Sequence, residues 1–239
     1  MLGAQRHGRK LKRGALAGNR FVLRISKVQG DRAVAEQRLL QMQARGAPNY
    51  FGAQRFGRGA DNIDAARRMF AGRRVPRAER EMLLSAARAQ LFNAVLARRV
   101  AQANWNCALD GELWALSGSR AWFGPEPFDA LLEQRLAVFD IAPSGPLWGR
   151  GPNPAGAACA QLEHAALAAY LDLAEGLAAA GLEHARRALR LDLRGMSWHW
   201  HGDDALELSF TLPAGAYATA VVQELLDDAA AQAALGDAA

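Results

Sequence analysis

Only two cysteines occur in the 239 residues, Cys107 and Cys159. They are too few and too far apart for a disulfide framework, and they match no metal-ligand or redox spacing. Their apolar or alanine-rich surroundings predict buried free thiols. Uninterrupted apolar runs long enough for a membrane span, about 18 residues or more, are absent. The opening MLGAQRHGRKLKRG lacks a hydrophobic signal core, so a cytoplasmic protein is expected. Acids are missing from residues 1–30, which carry Arg6, Arg9, Lys10, Lys12, Arg13, Arg20, Arg24 and Lys27. That basic end should face an anion, whereas the chain turns acidic and alanine-rich from Asp227. Lysine itself is scarce, three against 26 arginines, which a GC-rich coding sequence explains as readily as function does.

What is present suits a globular protein: 51% of residues are hydrophobic and the formal net charge is +5. Residues 21–25 are β-rich and predict a short strand. Asp31 is a suitable N-cap for a helix to about Arg45, stopped by Gly46. Residues 49–57 hold three aromatics and two glycines in no helical or strand period, which predicts a structured loop. A short helix capped by Asp61 is expected next, then a longer one over 77–100 with Leu84, Ala87, Leu91 and Val95 on one face and Arg88 at its edge. Residues 101–155 carry turn signals and end in a Gly/Pro-rich stretch from Pro143 to Pro154. An alanine-rich helix or helix pair is predicted over 157–189, broken near Gly176 or Gly181. From Met196 the period becomes two: Trp198 and Trp200 share one face, His199 and His201 the other, and Leu206, Leu208, Phe210 and Leu212 alternate with polar residues. Two antiparallel strands joined at Gly202-Asp203 follow from this, then a helix over 216–226. Two imidazoles on one strand face could begin a zinc site, but no third ligand has a recognisable spacing, and no metal is expected.

Three blocks carry a resemblance to a known family. Residues 7–21, HGRKLKRGALAGNRF, are similar to HxRKLxxGxLxGNxF. Residues 46–57, GAPNYFGAQRFG, are similar to GxPNYFGxQRFG, and residues 212–219, LPAGAYAT, to LPAGxxAT. All three patterns belong to the TruD family of tRNA pseudouridine synthases. The resemblance implies an α+β fold: a pseudouridine-synthase-like mixed or antiparallel sheet domain, incomplete here, made of residues 1–45 and 196–239, and a largely helical inserted TRUD domain over 46–195. It implies an isomerase that converts uridine-13, in the D-arm region of tRNA, to pseudouridine without cofactor or metal. The expected partner is tRNA, and the expected state a monomer.

Within that resemblance Asn19 and Phe21 match the residues that line the base pocket, Phe21 stacking on uracil and Asn19 bonding the catalytic carboxylate or the substrate. On local grounds alone Phe21 reads as a core residue and Asn19 as a turn residue. His7, Arg9, Lys10, Lys12 and Arg13 are candidates for backbone phosphates. Arg55 would either stack on a base or pin its loop to a carboxylate. Arg67, Arg68, Arg73, Arg74, Arg77 and Arg80 form a second basic cluster, suited to the other wall of an RNA cleft or simply to a solvated helix face. The family's nucleophilic aspartate lies in a G-x-K-D motif upstream of the first block. No such motif occurs in these 239 residues, the first aspartate being Asp31. A fragment lacking that aspartate is therefore expected, with a catalytically inactive tRNA-binding module as the competing reading.

Overall fold

The structure is a computed structural model that describes Gly8 and residues 18–226. β1 (Asn19–Ser26) alternates as the sequence indicates, with Phe21, Leu23 and Ile25 partly buried and Val22 58% exposed on the opposite face. The Asp31 side chain accepts from Ala33 N at 2.7 Å and starts α1 (Arg32–Arg45). Gly46 ends that helix at φ 76°, and a Cβ there would lie 2.1 Å from the Leu191 carbonyl oxygen, so only glycine fits. β2 (Ala47–Pro48) follows.

α2 (Asp61–Phe70) and α3 (Arg77–Ala101) form a helical hairpin. Asp61 is the first residue of α2 rather than its cap; the cap position is Ala60, left-handed at φ 65° with no side-chain bond. The apolar face of α3 buries Leu83, Ala87, Leu91, Phe92, Val95 and Leu96, while Leu84 is only half-buried. β3 (Trp114–Leu116), β4 (Trp122–Phe123), α4 (Ala130–Ala137) and β5 (Ile141–Leu147) occupy the mixed region. Part of the stretch read as Gly/Pro-rich turn is thus a strand. Two further helices, α5 (Ala157–Leu167) and α6 (Leu171–Ala179), are divided by a 3₁₀ turn over Ala168–Tyr170; Gly176 lies inside α6, and the helical stretch ends just before Gly181, at φ 80°. The residues beyond are extended: β6 (Ala185–Ala188) and β7 (Arg190–Leu191). β8 (Arg194–His201) and β9 (Ala205–Leu212) make the expected hairpin, with Gly202 at φ 66° in its turn, and α7 (Ala218–Gln223) closes the described chain.

Three antiparallel sheets result: β1-β9-β8, β2-β7, and β4-β3-β5-β6. Residues 46–195 therefore carry a four-stranded sheet as well as their helices. α1 packs on one face of β1-β9-β8 through Leu39 and Met42, and its Glu36 accepts the indole N–H groups of Trp198 and Trp200. A second core lies among α2, α3, α5 and α6 (Ile63, Leu83, Leu91, Leu173, Leu177). Between the four-stranded sheet and the helices, two fully buried ion pairs, Arg99–Glu112 and Arg186–Glu163, both 2.6 Å, flank Cys159. Burial, followed by the two carboxylates, pushes the Cys159 thiol up and keeps it protonated. Cys107, expected to be buried, is exposed. Among the described residues no helix is long and apolar enough to cross a membrane.

Candidate functional site

Folding ties the described end of the first block and the second block to the third. Gly18–Phe21 lie beside the third through the β1–β9 ladder, which sets Asn19 opposite Leu212 and Phe21 opposite Phe210. Gly18 makes this approach possible, since a Cβ on it would sit 2.5 Å from the Leu212 carbonyl oxygen. The second block is held from both sides. Asn49 donates to Ala188 O at 2.7 Å, and the Asn93 side chain brackets Phe51, accepting from its N–H at 2.9 Å and donating to its C=O at 3.0 Å. Gly52 lies so close to Tyr217 and Thr219 of the third block that a Cβ would meet them at 3.1 and 3.2 Å.

Arg55 joins the second block to the third. Its guanidinium donates to the Tyr217 hydroxyl from Nε (3.2 Å) and Nη2 (2.7 Å), and to Ser85 Oγ of α3 from Nη1 (3.1 Å). It does pin its loop, but to hydroxyls rather than to a carboxylate. The Phe51 ring packs edge-on against Tyr217, centroids 6.1 Å apart, and against Phe92 at 5.4 Å. The Tyr50 hydroxyl is pushed up to about 12, first by burial and then by Glu224.

Arg187, on β6, completes the cluster, although no sequence signal marked it. Its guanidinium lies 4.1 Å from the Phe51 ring centroid and 5.5 Å from that of Phe92. It donates to Asn49 Oδ1 and to Gly215 O (3.1 Å), while its Nε finds no partner. Burial pulls it down to about 10, so it is still charged at neutral pH, with ring faces and oxygen dipoles in place of a carboxylate. One cation thus ties β6 to both the second and the third block.

Asn19 is exposed at the head of β1 and Phe21 is partly buried, its ring 5.7 Å from Phe210 and tilted by 32°. Both occupy the same face of the strand by parity. His7, Arg9, Lys10, Lys12 and Arg13 lie outside the described residues. His199 and His201 stand 4.8 Å apart on the opposite sheet face, with His201 3.5 Å from Glu207. Among the described residues no group of three potential ligands gathers around a common point.

Comparison with known proteins gives a consistent result. A family model described as "tRNA pseudouridine synthase D (TruD)" matches residues 1–65 and 64–225. The tRNA pseudouridine synthase D of Xanthomonas campestris pv. campestris (strain 8004) is 52% identical over 234 residues, and that of Xanthomonas axonopodis pv. citri (strain 306) 51% over 238. Each alignment covers 92% of this chain and 64% of the relative, so the chain spans less than two thirds of their length. Ectopseudomonas mendocina (strain ymp) has a protein of the same name at 48% identity, covering 95% of this chain and 65% of that one. A crystal structure of a Methanosarcina mazei protein assigned as tRNA pseudouridine synthase D superposes with a TM-score of 0.62 over 89% of this chain and 69% of its own; at 17% identity it speaks for the fold alone.

Proposed function

Because this chain belongs to the TruD family of tRNA pseudouridine synthases, we propose that it forms the RNA-binding and partial active-site portion of an enzyme that isomerises uridine-13 of tRNA to pseudouridine. The observation that carries this reading is that the third block is shared: its start, Leu212, pairs with Asn19 of the first block, and its Tyr217 is held by Arg55 of the second, beside Phe51 and Arg187. In the reaction the N1–C1′ bond breaks, C1′ rejoins the base at C5, the C5 proton leaves and N1 gains one. Reactant and product have the same atoms, so no oxidant or group donor is consumed. The base must first leave its stack, at a cost of a few kcal/mol that a snug pocket has to offset.

In this reading Phe21 stacks on the displaced uracil, and Asn19, exposed beside it, bonds the substrate or the attacking carboxylate. Arg55 adds positive potential toward the RNA while holding Tyr217 in place. His7, Arg9, Lys10, Lys12 and Arg13 neutralise backbone phosphates. The protein acts in the cytoplasm as a monomer, with tRNA as its partner and no cofactor. No aspartate of these 239 residues serves as nucleophile. Six of the ten described are engaged elsewhere: Asp31 and Asp129 cap helices, Asp64 and Asp172 pair with Arg67, Asp140 with Arg135, and Asp192 with Arg194.

The test is a tritium-release assay on tRNA labelled at uridine C5, run with the 239-residue chain and with the same chain fused to the upstream segment of its Xanthomonas campestris relative. The expected outcome is tRNA binding by both and release by the fusion alone. Release by the shorter chain would show that one of its own aspartates serves. Failure of both to bind tRNA would overturn the reading altogether.

A further inference from the structure

Six arginines cluster around the end of α2 and the start of α3, and their pairing divides them. Arg67 is taken by Asp64 and Asp172, and Arg77 by Glu81. Arg68, Arg73, Arg74 and Arg80 are exposed and have no carboxylate partner among the described residues. Three of these four, Arg73, Arg74 and Arg80, line one shallow depression of about 390 Å³ with Met69, Gly72 and Val75. No acid lines it.

Helix electrostatics account for only part of this arrangement. Arg68 sits in the last turn of α2, where the macrodipole welcomes a cation. The carbonyls there are already satisfied by the backbone, since Ala71 N donates to Arg67 O, Gly72 N to Met69 O and Arg73 N to Arg68 O, with Gly72 at φ 104° turning the chain. Arg80 lies in the first turn of the 25-residue α3, where the dipole opposes a cation, and Pro76 at the cap position provides no side-chain bond to the free N–H groups. Glu79 is the one acid of that turn and lies outside the depression. Three guanidinium groups without a carboxylate partner therefore share one concave surface near the start of α3, an arrangement that an anion would stabilise.

The same helix leads to the candidate site. Ser85, which accepts from Arg55, follows Arg80 by five residues, about 7.5 Å along the axis at roughly 1.5 Å per residue. We propose that the depression formed by Arg73, Arg74 and Arg80 seats a single backbone phosphate of the RNA, so that the α2–α3 turn acts as a clamp on the substrate flank. The proposal rests on the RNA reading above, and guanidinium forks suit phosphate oxygens better than they suit a point contact.

The experiment is fluorescence anisotropy of labelled tRNA with the 239-residue chain across a potassium chloride series. It compares the parent with R73A/R74A/R80A, R73K/R74K/R80K and R77A. One seated phosphate predicts that the triple alanine variant lowers the slope of log affinity against log salt by about one unit. The lysine variant should keep the parent slope, and so should R77A, whose partner is Glu81. Thermal melts should coincide, because these side chains are exposed. An unchanged slope in the alanine variant, with tight parental binding, would refute the clamp and leave the RNA reading intact. A drop of about three units would mean three separate contacts and would overturn the single-phosphate seat. No binding by the parent at any salt would remove the RNA reading and the clamp together.

Discussion

Phe21 meets Phe210 across the ladder and leans on the sheet core, so its packing accounts for its position without any ligand. Asn19, two residues earlier on the same face, is exposed and makes no side-chain hydrogen bond among the described residues. The two substitutions should therefore separate in a thermal or urea melt. Phe21→Ala should cost about 3 kcal/mol, the low end of the range for a buried aromatic because the ring is only partly covered. Asn19→Ala should stay within about 0.5 kcal/mol of the parent. A loss of 1 kcal/mol or more in Asn19→Ala would show that this residue holds the turn into β1, as its bare sequence context suggests. Nothing in the neighbours of Tyr217 along the chain says that Arg55, 162 positions away, donates to its hydroxyl.

Gly176 illustrates how an element is misread from its own sequence. A glycine within an alanine-rich segment reads as a helix break, and by helix propensity alone Gly176→Ala should stabilise by about 1 kcal/mol. It lies instead inside α6, where a Cβ would meet the Phe70 ring of α2 at 2.3 Å. Overpacking of this kind costs about 1–3 kcal/mol and outweighs the propensity gain, so Gly176→Ala should lower the melting temperature. A rise would mean that α2 and α6 can move apart freely. β5 was obscured by its prolines for a related reason. Ser144 N donates to Leu113 O on the β3 side, and Pro143 O accepts from Leu189 N on the other side. Alternation then turns the Pro143 nitrogen toward Leu189, whose carbonyl accepts from Asn49 N instead, and the Pro146 nitrogen toward the β3 side, beyond the paired residues 141–143. Neither proline removes a ladder bond, so both are tolerated in an interior strand. Cap and stop residues did identify α1, and periodicity α3 and the β8–β9 hairpin, because α3 and the hairpin alternate between buried and exposed positions over most of their length.

At the scale of the molecule, the four-stranded sheet is joined to its helices by charges as well as by apolar packing. Glu163 of α5 accepts from Arg186 of β6 and from Asn153 at 2.8 Å, and Arg99 of α3 binds Glu112 and the carbonyls of Asn104 and Cys107. Removing one member strands a charge that water cannot reach. Glu163→Gln should therefore cost about 3–5 kcal/mol in a denaturant melt, well beyond a surface substitution. A cost below about 1 kcal/mol would show that Arg186 finds solvent after the change. Arg186 already has one unpartnered nitrogen, Nη1, so the network has no spare acceptor to offer it.

By itself the sequence determined the family, through three blocks dense enough in specific residues to be read without structure. It also determined the strand and helix types wherever one face is buried, and a basic charge concentrated toward the start of the chain. The tertiary structure alone decided which distant residues share a site. Arg187 lies 138 positions from Asn49 yet bonds it, and Arg55 finds its hydroxyls on α3 and beside α7. It also decided which arginines of the second cluster have a carboxylate partner and which have none among the described residues. The reason is physical: local pattern reports which way a side chain faces, whereas the partner it meets depends on chain closure across long loops, which no local pattern encodes.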